Sequence, residues 1–236
     1  SKVANMSYLF EGASSFNQAL NNWDTSSATQ MSSMFKGANN FNRDVGAWDV
    51  SKVTNMSNML NFTALSNGNK GKIHAGFASN SNWPCDWRQF VVINNSNFQA
   101  AVNLWFTNQA DANATYGHIS NWNTSAVTDM VEAFANRANF NEDISTWDVS
   151  NVTNLTRIFK GAATFNQSIG NWDTSSVTNL MAVFENASDF NQSIGNWNTS
   201  NVTHFTYLFK GATSFNQPIN NWNTSAVTFM GEMFSN

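Results

Sequence analysis

The apolar positions of this chain recur with two periods, one local and one long. Within short stretches they fall at i, i+3 and i+4, as in Met31, Met34 and Phe35, in Leu155, Ile158 and Phe159, and in Phe205, Leu208 and Phe209. That spacing predicts one buried face of a two-turn helix. A Thr ahead of each run (Thr29, Thr54, Thr153, Thr178, Thr203) fits a helix N-cap, and Gly12, Gly37, Gly161 and Gly211 stand where a left-handed C-terminal residue is wanted. Before each run the pattern changes to apolar-x-x-Trp-x-Thr/Val, as in Ile169, Trp172 and Thr174 or Ile144, Trp147 and Val149. This matches the short strand of leucine-rich repeats. The expected fold class is an α/β repeat: a leucine-rich-repeat-like solenoid with a short strand and a short helix per coil.

The long period is 25 residues. Tryptophans stand at Trp23 and Trp48, then at Trp122, Trp147, Trp172, Trp197 and Trp222. Such a spacing marks stacked repeats, because one unit cannot bury a Trp and two Phe alone. Stacked copies cover them, at roughly 150–250 Å² for each ring, so an aromatic stack is the expected core. Asparagines after the second Phe (Asn17, Asn42, Asn141, Asn166, Asn191, Asn216) are placed to form a ladder that satisfies backbone groups of adjacent coils.

The period lapses between Trp48 and Trp122, 74 residues apart. Leu65, Ile73 and Phe77 in the stretch 64–79 suggest a helix despite three glycines. Pro84 marks a turn, and Phe98, Ala101, Val102 and Trp105 fall at i, i+3, i+4 and i+7, an amphipathic helix suited to covering the end of a stack. The expected organisation is a first array over 1–60, an interrupting linker with capping helices over 61–118, and a second array over 119–236. Both chain ends fall inside a repeat, which suggests an excerpt of a longer polypeptide.

Composition narrows the chemistry. Charged residues make up 11% of the 236, aromatics 14%, and the net charge is −4. With no block of Lys or Arg, the electrostatic footprint of a nucleic-acid binder is missing. No apolar run approaches the roughly 20 residues that span a bilayer. A single cysteine, Cys85, excludes an internal disulfide framework. The three histidines, His74, His118 and His204, form no i, i+4 pair, and the Asp24, Asp49, Asp148, Asp173 row is broken by Asn123, Asn198 and Asn223, against a calcium site. Serines that could act as nucleophiles repeat at one position, so none is singled out. Neither catalysis nor a cofactor is expected.

About forty asparagines remain to be explained. Besides the ladder, an alternating strand face would present Asn22, Asp24, Ser26, Asp49, Asn123, Asp148, Asn171, Asp173, Ser175, Asn196, Asn198, Ser200 and Asn223 as a polar ribbon on a concave side. Such a ribbon suits a carbohydrate or a partner protein, and equally a solvated face. N-x-Ser/Thr sequons are dense, and those in the irregular segment, Asn61, Asn94 and Asn113, are the best glycosylation candidates.

The full phrase, read from Trp172 to Ile194 and from Trp197 to Ile219, resembles the repeats of BspA-type leucine-rich-repeat-like surface proteins over residues 1–60 and 119–236. The linker around Trp83–Trp87 and the run 97–106 are similar to segments that introduce a fresh array in such proteins. The sequence departs from the phrase at Leu60, Asn61, Arg137 and Cys85. What the resemblance implies is an extracellular or cell-surface adhesion or scaffolding role, with other copies or other surface proteins as partners and no catalytic residues to carry over.

Overall fold

The computed structural model describes residues 2–235, so the first and last residues of the partial repeats at the two ends lie outside it. The coils are neither strands nor helices. In the coil that opens at Trp147, the run expected to be helical is a chain of overlapping tight turns. Ile158 N–H donates to the Leu155 carbonyl, Lys160 to Arg157 and Ala162 to Phe159, at 3.0–3.1 Å. Between them, the N–H groups of Arg157, Phe159 and Gly161 point to the next coil and donate to Met181, Val183 and Glu185. A helix would send those donors four residues back within its own segment.

Backbone conformation enforces this arrangement. Arg157 has φ +56°, and the equivalent residues Tyr8, Ser33, Asn58, Glu132, Ala182, Tyr207 and Glu232 are all left-handed too. Four residues on, Gly12, Gly37, Gly161 and Gly211 are left-handed as the sequence suggested, with Phe62, Asn136 and Asn186 in the same slot. A left-handed L-residue ends an α-helix, so the spacing i, i+3, i+4 selects the buried residues without producing a helix.

The expected strands are also absent. Among the described residues, the β pairing between adjacent coils is limited to isolated parallel bridges, in the series Asn5–Gln30–Asn55 and Asp129–Asn154–Asn179–His204–Phe229, with one more at Asn94–Ala126. The strand-plus-helix leucine-rich-repeat fold class is therefore corrected to turn-built coils in parallel register. Around each Trp, side chains make the links that a strand ladder would make. Trp147 Nε1 donates to the Ile119 carbonyl, Trp172 to Ile144, Trp197 to Ile169 and Trp222 to Ile194, at 2.9–3.2 Å. In the opposite direction the buried Thr124, Thr174 and Thr199 hydroxyls donate to the carbonyls of Asp148, Asn198 and Asn223 in the following coil.

The core is the expected aromatic stack. Phe134, Phe159, Phe184 and Phe209 stack ring on ring at 5.6–5.8 Å, and Phe140, Phe165, Phe190 and Phe215 do so at 5.7–6.0 Å. Trp172 and Trp197 lie 3° from parallel. The asparagine ladder runs beside them: Asn141 Oδ1 accepts from Asn166 N–H, Asn166 from Asn191 and Asn191 from Asn216.

The molecule divides into two compact units. One comprises the chain up to Val92 with Gln109–Gly117, the other Ile93–Asn108 with the chain from His118 on. Among the described residues the α-helices fall within the interrupting stretch, α1 (Asn67–Phe77), α2 (Phe98–Thr107) and α3 (Gln109–Tyr116), and short 3-10 turns stand at Arg88–Phe90 and, just past the stretch, at Ile119–Asn121. In the first unit α1 is capped by Ser66 Oγ, which accepts from Asn69 N–H. Two of its three glycines serve close packing, because a Cβ at Gly71 would fall on the Phe90 carbonyl and one at Gly76 on the Gly46 carbonyl. In the second unit α2 lies on the opening coil, with Phe98 against Trp147, Trp105 against Trp122, and Phe106 against Phe134 and Phe140, all edge-on.

Candidate functional site

Backbone alternation places the polar row outward even though no strand forms. Asn171 and Asp173 are exposed while Trp172 and Thr174 are buried, and Asn196, Trp197, Asn198 and Thr199 repeat the pattern. Asn22, Asp24, Asp49, Asn123, Asp148 and Asn223 are likewise exposed, and Ser26, Ser175 and Ser200 are half-buried. Within the first unit the structure brings together Asn22, Asp24, Ser26 and Asp49. The second unit holds the other nine.

The acidic or amide side chain directly after each tryptophan of the row closes a local turn. Asp148 Oδ1 accepts from Ser150 N–H at 3.0 Å and from the Ser150 hydroxyl at 2.6 Å. Asp24 with Ser26, Asn123 with Ser125, and Asn198 with Ser200 repeat both bonds. The backbone bond recurs at Asp49, Asp173 and Asn223. The acceptor is a single oxygen, which Asp and Asn both carry, and this explains their interchange along the row. The serine hydroxyl and then its N–H hold the Asp49, Asp148 and Asp173 carboxyls below the usual carboxylate range, while the neighbouring Asp24 and Asp173 charges oppose the shift at Asp49 and Asp148.

The sequon asparagines differ in setting. Asn61 is exposed and its amide donates to Asn58 Oδ1 at 2.8 Å. Asn94 is half-buried, its Oδ1 accepting from Ser96 N–H and Oγ. Asn113 is half-buried on α3, and Thr115 of its sequon is buried.

A groove of about 310 Å³ in the first unit is lined by His74, Trp83, Pro84, Cys85, Asp86, Arg88 and Ala114, among others. Arg88 grips Asp86 with two nitrogens, at 2.8 and 2.6 Å, and holds its carboxyl down to about 2. Burial pushes the Cys85 thiol up, away from the thiolate that a nucleophile requires. Among the described residues no three His, Cys, Asp or Glu side chains assemble into a group that could hold a metal ion. No helix among them is long and apolar enough to cross a membrane. Sequence reading missed the Trp and Thr links between coils, although the alternation of Thr174 with Val149 at one repeat position was visible. The contacts of His74 carried no sequence signal, since its partners lie 9 and 40 residues away.

The model of a repeat-bearing family described as Mycoplasma protein of unknown function, DUF285, matches residues 1–82, 100–194 and 167–236. The chain belongs to this family. The second and third DUF285 matches overlap over residues 167–194, as a repeat aligned twice, and residues 83–99, which carry Trp83 and Cys85, lie between matches. No curated protein and no solved structure shows significant similarity to the chain.

Proposed function

We propose that this DUF285 chain is a non-enzymatic scaffold domain of a cell-surface or extracellular protein, which assembles laterally or adheres through its regular faces. The observation that carries this reading is the uniform linkage of the coils. Each is tied to its neighbours by the same Trp, Asn and backbone bonds, and the polar side chains repeat in the same local turns. A stack linked in this way is stiff, with identical groups recurring at each coil for a partner of the same repeat. The repeat phrase, which resembles BspA-type surface repeats, supports a surface location, and the partners expected are other copies or other surface proteins. Sedimentation of the chain over a rising concentration series, with imaging of native material, tests the proposal. Ordered assemblies are expected, and a chain that stays monomeric throughout, with no assembly in native samples, overturns it.

A second reading draws on the exposed Asn/Asp/Ser row. Its side chains are preoriented by their serine turns, which lowers the ordering cost of gripping a carbohydrate or protein ligand. Replacing Asp148, Asp173 and Asn198 with Ala should then abolish retention on immobilised polysaccharide while the fold persists. Occupied glycans at Asn61, Asn94 or Asn113, read by peptide mass spectrometry of native material, would fit secretion from a glycosylating source.

A further inference from the structure

His74 is buried, at 3% exposure, on α1. Its Nδ1 lies 3.0 Å from Trp83 Nε1, an atom that can only donate, so Nδ1 must accept. Its Nε2 lies 2.8 Å from the Ala114 carbonyl, which can only accept, so Nε2 carries the proton. The neutral Nε2–H tautomer alone satisfies both partners. Through this ring α1 is fastened to Trp83 on one side and to α3 on the other, and α3 belongs to the segment Gln109–Gly117 that rejoins the first unit after α2 has left it.

A second proton on the ring would sit on Nδ1 and face the indole N–H, donor against donor. We propose that His74 is an acid-sensitive latch: neutral, it holds Gln109–Gly117 and Trp83 onto α1, and protonated, it lets them go.

The surroundings favour the closed, neutral form at neutral pH. Burial disfavours the charged ring most strongly, with the Arg88 cation adding to it, while the Ala114 and Cys85 carbonyls and the Asp86 carboxylate oppose. The Cys85 thiol lines the same groove. On α1 itself, Lys70 lies over Trp87 and Phe90 and Lys72 reaches Asp44. Because the ring's pKa is lowered on folding, the stabilisation is complete above the unfolded value of about 6.5 and is lost as pH falls through the folded value. The coils within residues 2–60 contain no histidine, so no second imidazole acts within that array.

Hydrogen exchange of the whole chain, read by NMR together with the His74 ring and Trp83 indole signals from about pH 7.5 to 4.5, tests this around the ordinary histidine range. After correction for intrinsic exchange, opening of Gln109–Gly117 and of the Trp83 indole should rise by up to about tenfold per pH unit as pH falls below the open-state value of about 6.5, and level off once the closed ring itself is protonated, as uptake of one proton on opening requires. The repeats should keep their protection. In a His74→Gln chain, whose uncharged amide can both donate and accept, the acceleration should vanish. The proposal is overturned if His74 titrates while Trp83 and α3 stay protected, or if His74→Gln opens with the same pH dependence. Should that variant fail to fold, the coincidence of the three wild-type signals decides.

Discussion

Two regions of the chain carry the same apolar spacing and fold differently. In α2, Phe98, Ala101, Val102 and Trp105 fall at i, i+3, i+4 and i+7 and form a helix with all four buried. In the coils, Leu155, Ile158 and Phe159 carry the start of that pattern and are fully buried, yet Arg157 between them is left-handed and the segment is a run of turns. Spacing reports which side chains go inside. How the backbone brings them there depends on where its N–H groups find acceptors, and in a stack the next coil offers a carbonyl at every second residue.

The largest effects should come from the ring that both packs and bonds. Trp147 is 3% exposed, stacks on Trp122 and donates to Ile119. Trp147→Ala should cost about 3–5 kcal/mol in urea unfolding, whereas Trp87→Ala, at a half-buried ring of the interruption, should cost only about 1 kcal/mol. Equal losses would mean that the coils depend on their tryptophans no more than the linker does.

Glycine separates the regions next. Gly76→Ala in α1 drives a methyl into the Gly46 carbonyl and should destabilise by about 1–3 kcal/mol. Gly68→Ala, on the exposed first turn of the same helix, should stabilise by about 0.5–1 kcal/mol. Thermal melts of the two variants should shift in opposite directions. Phe62, 74% exposed at φ +61°, occupies a slot that four coils fill with glycine, so Phe62→Gly should gain about 1 kcal/mol.

The smallest effect concerns the polar row. Because folding lowers the Asp148 and Asp173 carboxyls, their contribution is complete above the unfolded value of about 3.9 and is lost as pH falls further. The double variant Asp148→Asn, Asp173→Asn should keep the neutral-pH melting temperature and show a shallower decline between about pH 4 and pH 2. A marked loss at neutral pH would show that the charge, and not the shared oxygen, closes these turns.

Much of the core was legible in the sequence. The Trp and Phe columns, the Asn ladder and the left-handed Gly12, Gly37, Gly161 and Gly211 all follow from residues that repeat at fixed positions. The left-handed position at Tyr8, Ser33, Asn58, Glu132, Arg157, Ala182, Tyr207 and Glu232 was not legible, since eight coils fill it with six residue types and none of them is glycine. The strand expectation failed for a related reason: alternation was real at Asn171–Thr174, but the coil-to-coil links there come from Trp and Thr side chains. Of the candidate site residues, exposure was predictable from that alternation. The serine turns that engage them depend on hydroxyl placement, which spacing does not encode.

The central claim, that the coils are built from left-handed turns, is tested most directly by one pair of substitutions measured in the same denaturant experiment. Ala182 is buried at φ +55°, and Ala101 is buried within α2. Ala101→Gly should cost about 1 kcal/mol, as in any helix. Ala182→Gly should instead stabilise by about 0.5–1 kcal/mol, since relief of the left-handed strain outweighs one buried methyl. If Ala182→Gly destabilises the protein as Ala101→Gly does, the coil is helical there and the account is wrong.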